Sequence, residues 1–265
     1  MFLWAGLTLV IMLPLAFTLK DRPEDAGLLP DGDGLGEAAS VKTESTVPAA
    51  VAPSLSVSQA VRTRPFWLLS VGHFLCGAGC GLIMTHIVIF ATDAGYSELV
   101  GASLLSVIGA VNVAGVLATG LLSDRMSKPG VLALTHLVRT VSFGVVVAFI
   151  MLGERSLWML YAAMALFGFG WFTTAPLVAG LVTGIFGPAR AGTILGVVTS
   201  GHFLGMAVGA YAGGLVFEAT GNYLLVFAVL AGLSLAATLL SLAIKHPAAK
   251  SSPLEVANGR TANCC

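Results

Sequence analysis

Residues 120–132 read GLLSDRMSKPGVL, a short charged turn set between two long apolar runs. Five polar or charged residues, Ser123, Asp124, Arg125, Ser127 and Lys128, crowd into this turn, whereas the flanking segments are almost pure hydrocarbon. The contrast extends to the whole chain: 57% of its 265 residues are hydrophobic, only 10% are charged, and 32 are glycine. A chain so poor in charge cannot present an ordinary water-facing surface, and its spans belong in lipid.

A helix needs roughly 20 apolar residues to cross a hydrocarbon layer of about 30 Å. Seven segments qualify: 2–19, 65–91, 99–122, 131–152, 157–186, 191–216 and 223–244. The first lacks a basic residue ahead of its apolar run and is followed at once by Lys20 and Arg22, so it reads as a spanning helix and not as a signal peptide. Lys20, Arg22, Lys42, Arg62, Arg64, Arg125, Lys128, Arg190, Lys245, Lys250 and Arg260 all fall on one side of this topology, and only Arg155 on the other. Cationic loops stay cytoplasmic, which places the N-terminus outside the cell membrane and the C-terminus inside.

Residues 20–64 are rich in Asp, Glu, Gly, Ala, Ser and Pro, a composition expected of a disordered cytoplasmic linker. Two triplets of spans follow, and they echo each other. FWLLSVGHFLCGAG from Phe66 overlies LWMLYAAMALFGFG from Leu157 at an offset of about 91 positions, pairing Trp67 with Trp158, Gly77 with Gly168 and Gly79 with Gly170. With a few residues inserted, Gly120, Leu121 and Asp124 fall on Gly214, Leu215 and Glu218. Three is an odd number of crossings, so the second triplet enters the membrane from the opposite side and the repeat is inverted.

The turn at 120–132 resembles the loop signature of the major facilitator superfamily. In that family the pattern runs Gly, any, Leu, small, Asp, Arg, any, Gly, basic, basic, with Leu three further on. Gly120, Leu122, Ser123, Asp124, Arg125, Lys128 and Leu132 match it, while Ser127 and Pro129 depart from it. THIVIFATDAGYS, FGPARAGTILG and GLVFEATGNY look like bacterial members near the monocarboxylate and oxalate/formate branch. The resemblance implies an all-α membrane protein. It comprises a helix equivalent to the family's sixth (1–19), the central loop (20–64), the C-terminal six-helix domain (65–245) and a cytoplasmic tail (246–265). It further implies an alternating-access carrier of a small solute, an organic anion moved with H⁺, whose N-terminal half lies elsewhere, in cis or in trans. A seven-span receptor and a nontransporting half-carrier are the alternatives.

In the family the signature loop is implied to gate, so Gly120, Asp124, Arg125 and Lys128 are candidates for a clasp that holds one state shut. A carboxylate at a helix end accepts bonds from exposed N–H groups, and a guanidinium bridges to a neighbouring carboxylate. Gly201, Gly205, Gly209 and Gly213 recur every four residues and suit close helix packing. The three glycines 77, 79 and 81 in the second span, and Pro176 in the fifth, mark expected irregularities in two helices that line the cavity in the family.

Ionisable groups within spans are expensive and point to function by default. Arg139 stands eight residues past Val131, about 12 Å deep, as a structural pair, a snorkelling cation or an anion-binding group. His136 lies one turn before it. His73 and His86 are candidates for proton coupling, although about 100° per residue sets them roughly 220° apart on one helix. Asn112 and His202 complete the polar candidates. Cys76 and Cys80 read as core residues, and Cys264 and Cys265 end a polar tail. No phosphate-cradling loop, metal-spaced ligand set or hydrolytic triad is present, so neither an enzyme, a cofactor nor a nucleic-acid partner is expected; the expected partners are the bilayer, a solute and the complementary half.

Overall fold

The computed structural model describes Gly6 and residues 10–15, 54–153 and 156–244. Of the first expected span, Gly6 and residues 10–15 are helical and the rest lies outside the described residues, as do residues 20–53 of the linker and the chain from 245. The N-terminal unit Met1–Ala50 is separate from the unit Val51–Cys265 that holds the bundle. The bundle contains α1 (Val57–Ala60), α2 (Arg64–Asp93), α3 (Glu98–Arg125), α4 (Lys128–Leu152), α5 (Leu157–Phe169), α6 (Thr174–Phe186), α7 (Ala191–Thr220) and α8 (Leu224–Leu242). Among the described residues six stretches are long and apolar enough to cross a membrane, α5 and α6 forming one of them. The protein is an all-α membrane protein.

The end of the expected linker is ordered. Ser56 caps α1 through a reciprocal capping box with Gln59, Leu55 N–H donates to the Phe186 carbonyl at 2.9 Å, and Ala60 is fully buried. The expected irregularities are also redistributed. α2 is a continuous 30-residue helix in spite of its three glycines, whereas the fifth span breaks between Phe169 and Thr174. Pro176 is the third residue of α6, and its ring would collide with the carbonyl of Phe172 in a continuous helix, which places the break just ahead of it.

Two core clusters hold the bundle. Phe90, Phe143, Phe149, Phe167, Tyr223 and Phe227 dominate one. Phe66, Leu69, Val131, Leu132, Phe186 and Ile194 form the other, beside the 120–132 turn. Hydroxyls stitch helices across these cores: Ser103 Oγ and Tyr161 Oη lie 2.6 Å apart between α3 and α5, and Ser142 Oγ donates to the Ala163 carbonyl at 2.6 Å between α4 and α5. Such bonds matter in lipid because water is not there to replace them.

The repeat seen in the sequence is present in the packing. α2 packs on α7 and α8, α5 packs on α3 and α4, and α4 packs on α8. Exchanging the triplets α2, α3, α4 and α5/α6, α7, α8 turns each of these pairings into another member of the set. The correspondence reaches individual residues. A Cβ on Gly77 would strike the His202 carbonyl, and one on its mate Gly168 would strike the Ile108 carbonyl. Ile108 and His202 are themselves mates in the register that joins Gly120 to Gly214. Likewise Gly209 meets the Ala78 carbonyl and Gly115 meets the Phe169 carbonyl, again residue for residue. Both crossings bring backbones together at glycine, the approach small residues permit in a membrane.

Candidate functional site

The α2/α7 crossing carries a polar cluster. His73 and His202 stack with ring centroids 4.4 Å apart, and His202 Nδ1 lies 3.0 Å from the His73 carbonyl. A carbonyl only accepts, so this nitrogen bears the proton and Nε2 keeps its lone pair. Cys76, one turn beyond His73 on α2, completes the group; one ligating atom from each of the three residues falls within 4.8 Å of the others. His73 and Cys76 are buried, His202 half-buried, and His73 Nδ1 has no hydrogen-bond partner among the described residues. The sequence offered no metal-spaced set because His202 is brought to His73 and Cys76 only by the fold.

Beside the cluster opens a cavity of about 240 Å³. His73, His202, Thr174, Thr199, Trp171 and Met206 contribute to its walls, so the break between α5 and α6 supplies one side and α7 another. Thr174 Oγ1 approaches Cys76 Sγ to 4.0 Å. Among the described residues, no Lys or Arg lines this cavity.

Arg139 lies behind the cluster and does not snorkel. It is fully buried, donates from Nη1 to Cys76 Sγ at 2.6 Å, and donates from Nη2 to the Cys76 carbonyl at 3.0 Å and Cys80 Sγ at 3.2 Å. Its guanidinium also sits 4.9 Å from the centre of the Phe167 ring, a cation–π distance, while Nε has no partner. Gly79 and its repeat mate Gly170 both face this side chain, which therefore occupies the place where the two triplets meet. Two thiols and a backbone carbonyl hold Arg139. Cys76 and Cys80, read from sequence as plain core residues, are its partners; their spacing of four on one helix face was the available signal. His136 is buried one turn away.

His86 lies apart from His73, as the helical spacing requires. Its Nε2 is 3.0 Å from the Ala210 carbonyl and therefore donates; its Nδ1, 3.4 Å from Tyr223 Oη, accepts. The ring thereby ties α2 to α7 and to the start of α8, next to a second cavity of about 280 Å³ lined by Phe90, Asp93, Phe149, Phe217 and Tyr223 among others. Asn112 Nδ2 donates to the Gly168 carbonyl at 3.1 Å, a bond across the α3/α5 crossing.

At the signature turn α3 ends at Arg125 and α4 starts at Lys128, with Pro129 in the first turn where its missing N–H costs nothing. Asp124 and Arg125 are exposed, and neither side chain bonds to another described residue. Gly120 and Lys128 line a cleft of about 200 Å³ with Thr119, Pro176 and Gly180, and the Lys128 ammonium lies over Gly180 of α6. Of the glycine stripe, Gly205, Gly209 and Gly213 are pressed against α2, whereas Gly201 stands at its margin.

Six membrane-length spans among the described residues, arranged as two pseudo-symmetric triplets with polar cavities at their crossings, form the architecture of a transporter-type membrane protein. Residues 1–210 match the Major Facilitator Superfamily, and the chain belongs to it. It is 30% identical over 170 residues to the uncharacterized MFS-type transporter YcxA of Bacillus subtilis (strain 168), an alignment spanning 63% of this chain and 41% of that protein. It is 27% identical over 194 residues to monocarboxylate transporter 13 of Bos taurus, spanning 73% and 45%, and 26% identical over 166 residues to monocarboxylate transporter 12-B of Danio rerio, spanning 62% and 34%. The chain thus spans less than half the length of these relatives.

Proposed function

We propose that the chain forms the C-terminal half, with one preceding helix, of an alternating-access carrier that moves a small organic anion of the monocarboxylate class together with H⁺. In this reading residues 1–19 are the sixth helix of a twelve-helix carrier, 20–64 the central linker and 65–245 the C-terminal domain, in the cell membrane with the N-terminus outside. The observation that supports it most is the cavity between α2, α6 and α7, lined by imidazole and hydroxyl groups at mid-helix in a family whose relatives here include monocarboxylate transporters. His86 is the proposed proton group. Protonation at Nδ1 converts an acceptor into a donor, so the Tyr223 hydroxyl turns from donating to accepting, and the Asp93 carboxylate near that tyrosine gains a cation to face. Asp124 and Arg125, unpaired within the described residues, are proposed to clasp the complementary half.

The test is uptake of radiolabelled monocarboxylates into proteoliposomes holding the chain with a complementary N-terminal half, fused or co-reconstituted. Uptake driven by an inward H⁺ gradient and abolished by a protonophore supports the reading. Saturable uptake that ignores the gradient removes the H⁺ coupling, and failure with every organic anion tried, alongside ligand-dependent signalling, removes transport.

A further inference from the structure

We infer that His73, Cys76 and His202 form a binding site for a soft monovalent metal cation, Cu(I), that bridges α2 and α7. A cysteine sulfur favours a soft ion such as Cu(I), and imidazole nitrogens also ligate copper, so one sulfur and two nitrogens suit it. Metal bonds of about 2.0–2.3 Å set trigonal ligands roughly 3.6–4 Å apart, so atoms already within 4.8 Å of one another need only small side-chain rotations to close on an ion. Neighbouring contacts prepare each ligand. His73 Nδ1 is buried without a partner, a costly arrangement in a membrane interior that coordination would relieve. His202 Nδ1 is engaged by the His73 carbonyl, which fixes the tautomer that presents Nε2, as the outer partners of ligating histidines do. Cys76 Sγ accepts from Arg139, whose charge faces that of a metal-bound thiolate.

The backbone holds the two ligand-bearing helices in register, because Gly77, one residue after Cys76, abuts the carbonyl of His202 itself. The adjoining cavity gives a small ion a route to the site. Charge selects among soft metals. Binding M⁺ with release of the thiol proton leaves the net charge of this buried site unchanged, whereas M²⁺ adds one positive charge beside Arg139 in a medium that penalises it. The α3/α5 crossing has the same backbone contacts but carries Met164, Phe167 and Ile108 at the equivalent positions, so the crossing itself does not require ligating residues.

The experiment loads the full chain in detergent with Cu(I), buffered by a chromogenic Cu(I) chelator, after Cys264 and Cys265 are changed to serine to remove the thiols at its end. One Cu(I) per chain is expected, with one sulfur and two nitrogens in its X-ray absorption shell and tighter binding than Zn(II). Cys76→Ser and His202→Gln should each weaken binding by at least ~100-fold, more than the 10–100-fold typical of outer-shell changes, and Cys80→Ser by less than ~10-fold. Thermal melting of each metal-free variant separates lost ligation from lost fold, and the absorption shell of the parent chain decides alone if a variant does not fold. Substoichiometric uptake, a two-sulfur shell, unchanged affinity in folded Cys76→Ser and His202→Gln, or preference for Zn(II) would each overturn the inference.

Discussion

The α2/α7 and α3/α5 crossings share one backbone design and differ in what fills it. In both, a glycine on the first helix of a triplet meets a carbonyl on the second helix of the other triplet, and a glycine on that second helix returns the contact. The α2/α7 crossing encloses His73, Cys76 and His202 in front of Arg139; its counterpart encloses Met164, Phe167 and Ile108. Close approach is therefore a property of the fold, whereas polarity is a property of one copy. Function is to be sought where the copies diverge.

Arg139 offers the largest way to break this comparison, because it joins the polar crossing to the seam between triplets. Arg139→Ala leaves a cavity and strands the polar groups around it, with an expected loss of about 2–5 kcal/mol, the range for large-to-small changes in a core. Arg139→Met fills the same space without a charge and should fall within about 1 kcal/mol of the parent. Thermal melting in detergent checks both. Equal losses in the two variants would mean that the guanidinium's charge, and not its volume, holds the seam.

Symmetry is next. Gly209→Val and Gly115→Val each drive a side chain into a backbone carbonyl, at Ala78 and Phe169 respectively, and carbonyls cannot swing aside. Each should cost about 1–3 kcal/mol or more, the range for overpacking, and the two costs should match. Tolerance of one alone would show that the crossings are equivalent in geometry but not in stability.

Much of this arrangement was legible in the sequence, for physical reasons that also mark the limit. The period of apolar runs gave the spans because lipid demands unbroken hydrocarbon; the Gly77/Gly168 pair carried the repeat because a side chain there would strike backbone, and the Gly79/Gly170 pair because both abut Arg139. The two histidines of α2 were separable by helical rotation alone. What the sequence could not supply was the partner across a crossing. His202 is 129 positions from His73 and Arg139 is 63 from Cys76, so neither contact leaves a local signature. Pro176 announced a break in the fifth span, but the three glycines of α2 suggested an irregularity where helix packing instead enforces a straight run.

Asn112 tests whether the apolar crossing depends on the polar tie at its glycine contact. Its amide donates to the Gly168 carbonyl beside the glycine contact. Asn112→Ala should cost about 0.6 kcal/mol, the average for such interhelical bonds in membranes. A loss several times larger would show that the bond sets the spacing of α3 and α5, and that glycine merely permits it.

Exchanging the contents of the crossings should have the smallest effect on stability and the most informative one. His73→Met with His202→Ile gives α2/α7 the pair found at the equivalent positions of α3/α5. The exchange deletes a buried, unpartnered nitrogen at His73 and one bond at His202, so the two changes oppose each other and the melting point should stay within about 3 °C. The reciprocal variant, Met164→His with Ile108→His, buries two imidazoles beside Phe167 with no thiol at the position equivalent to Cys76, and should melt distinctly lower. If both exchanges are equally harmless, the polar cluster is an accident of tolerance. If the first is harmless and the second is not, the surroundings of α2/α7 are fitted to hold polar groups that stability does not require.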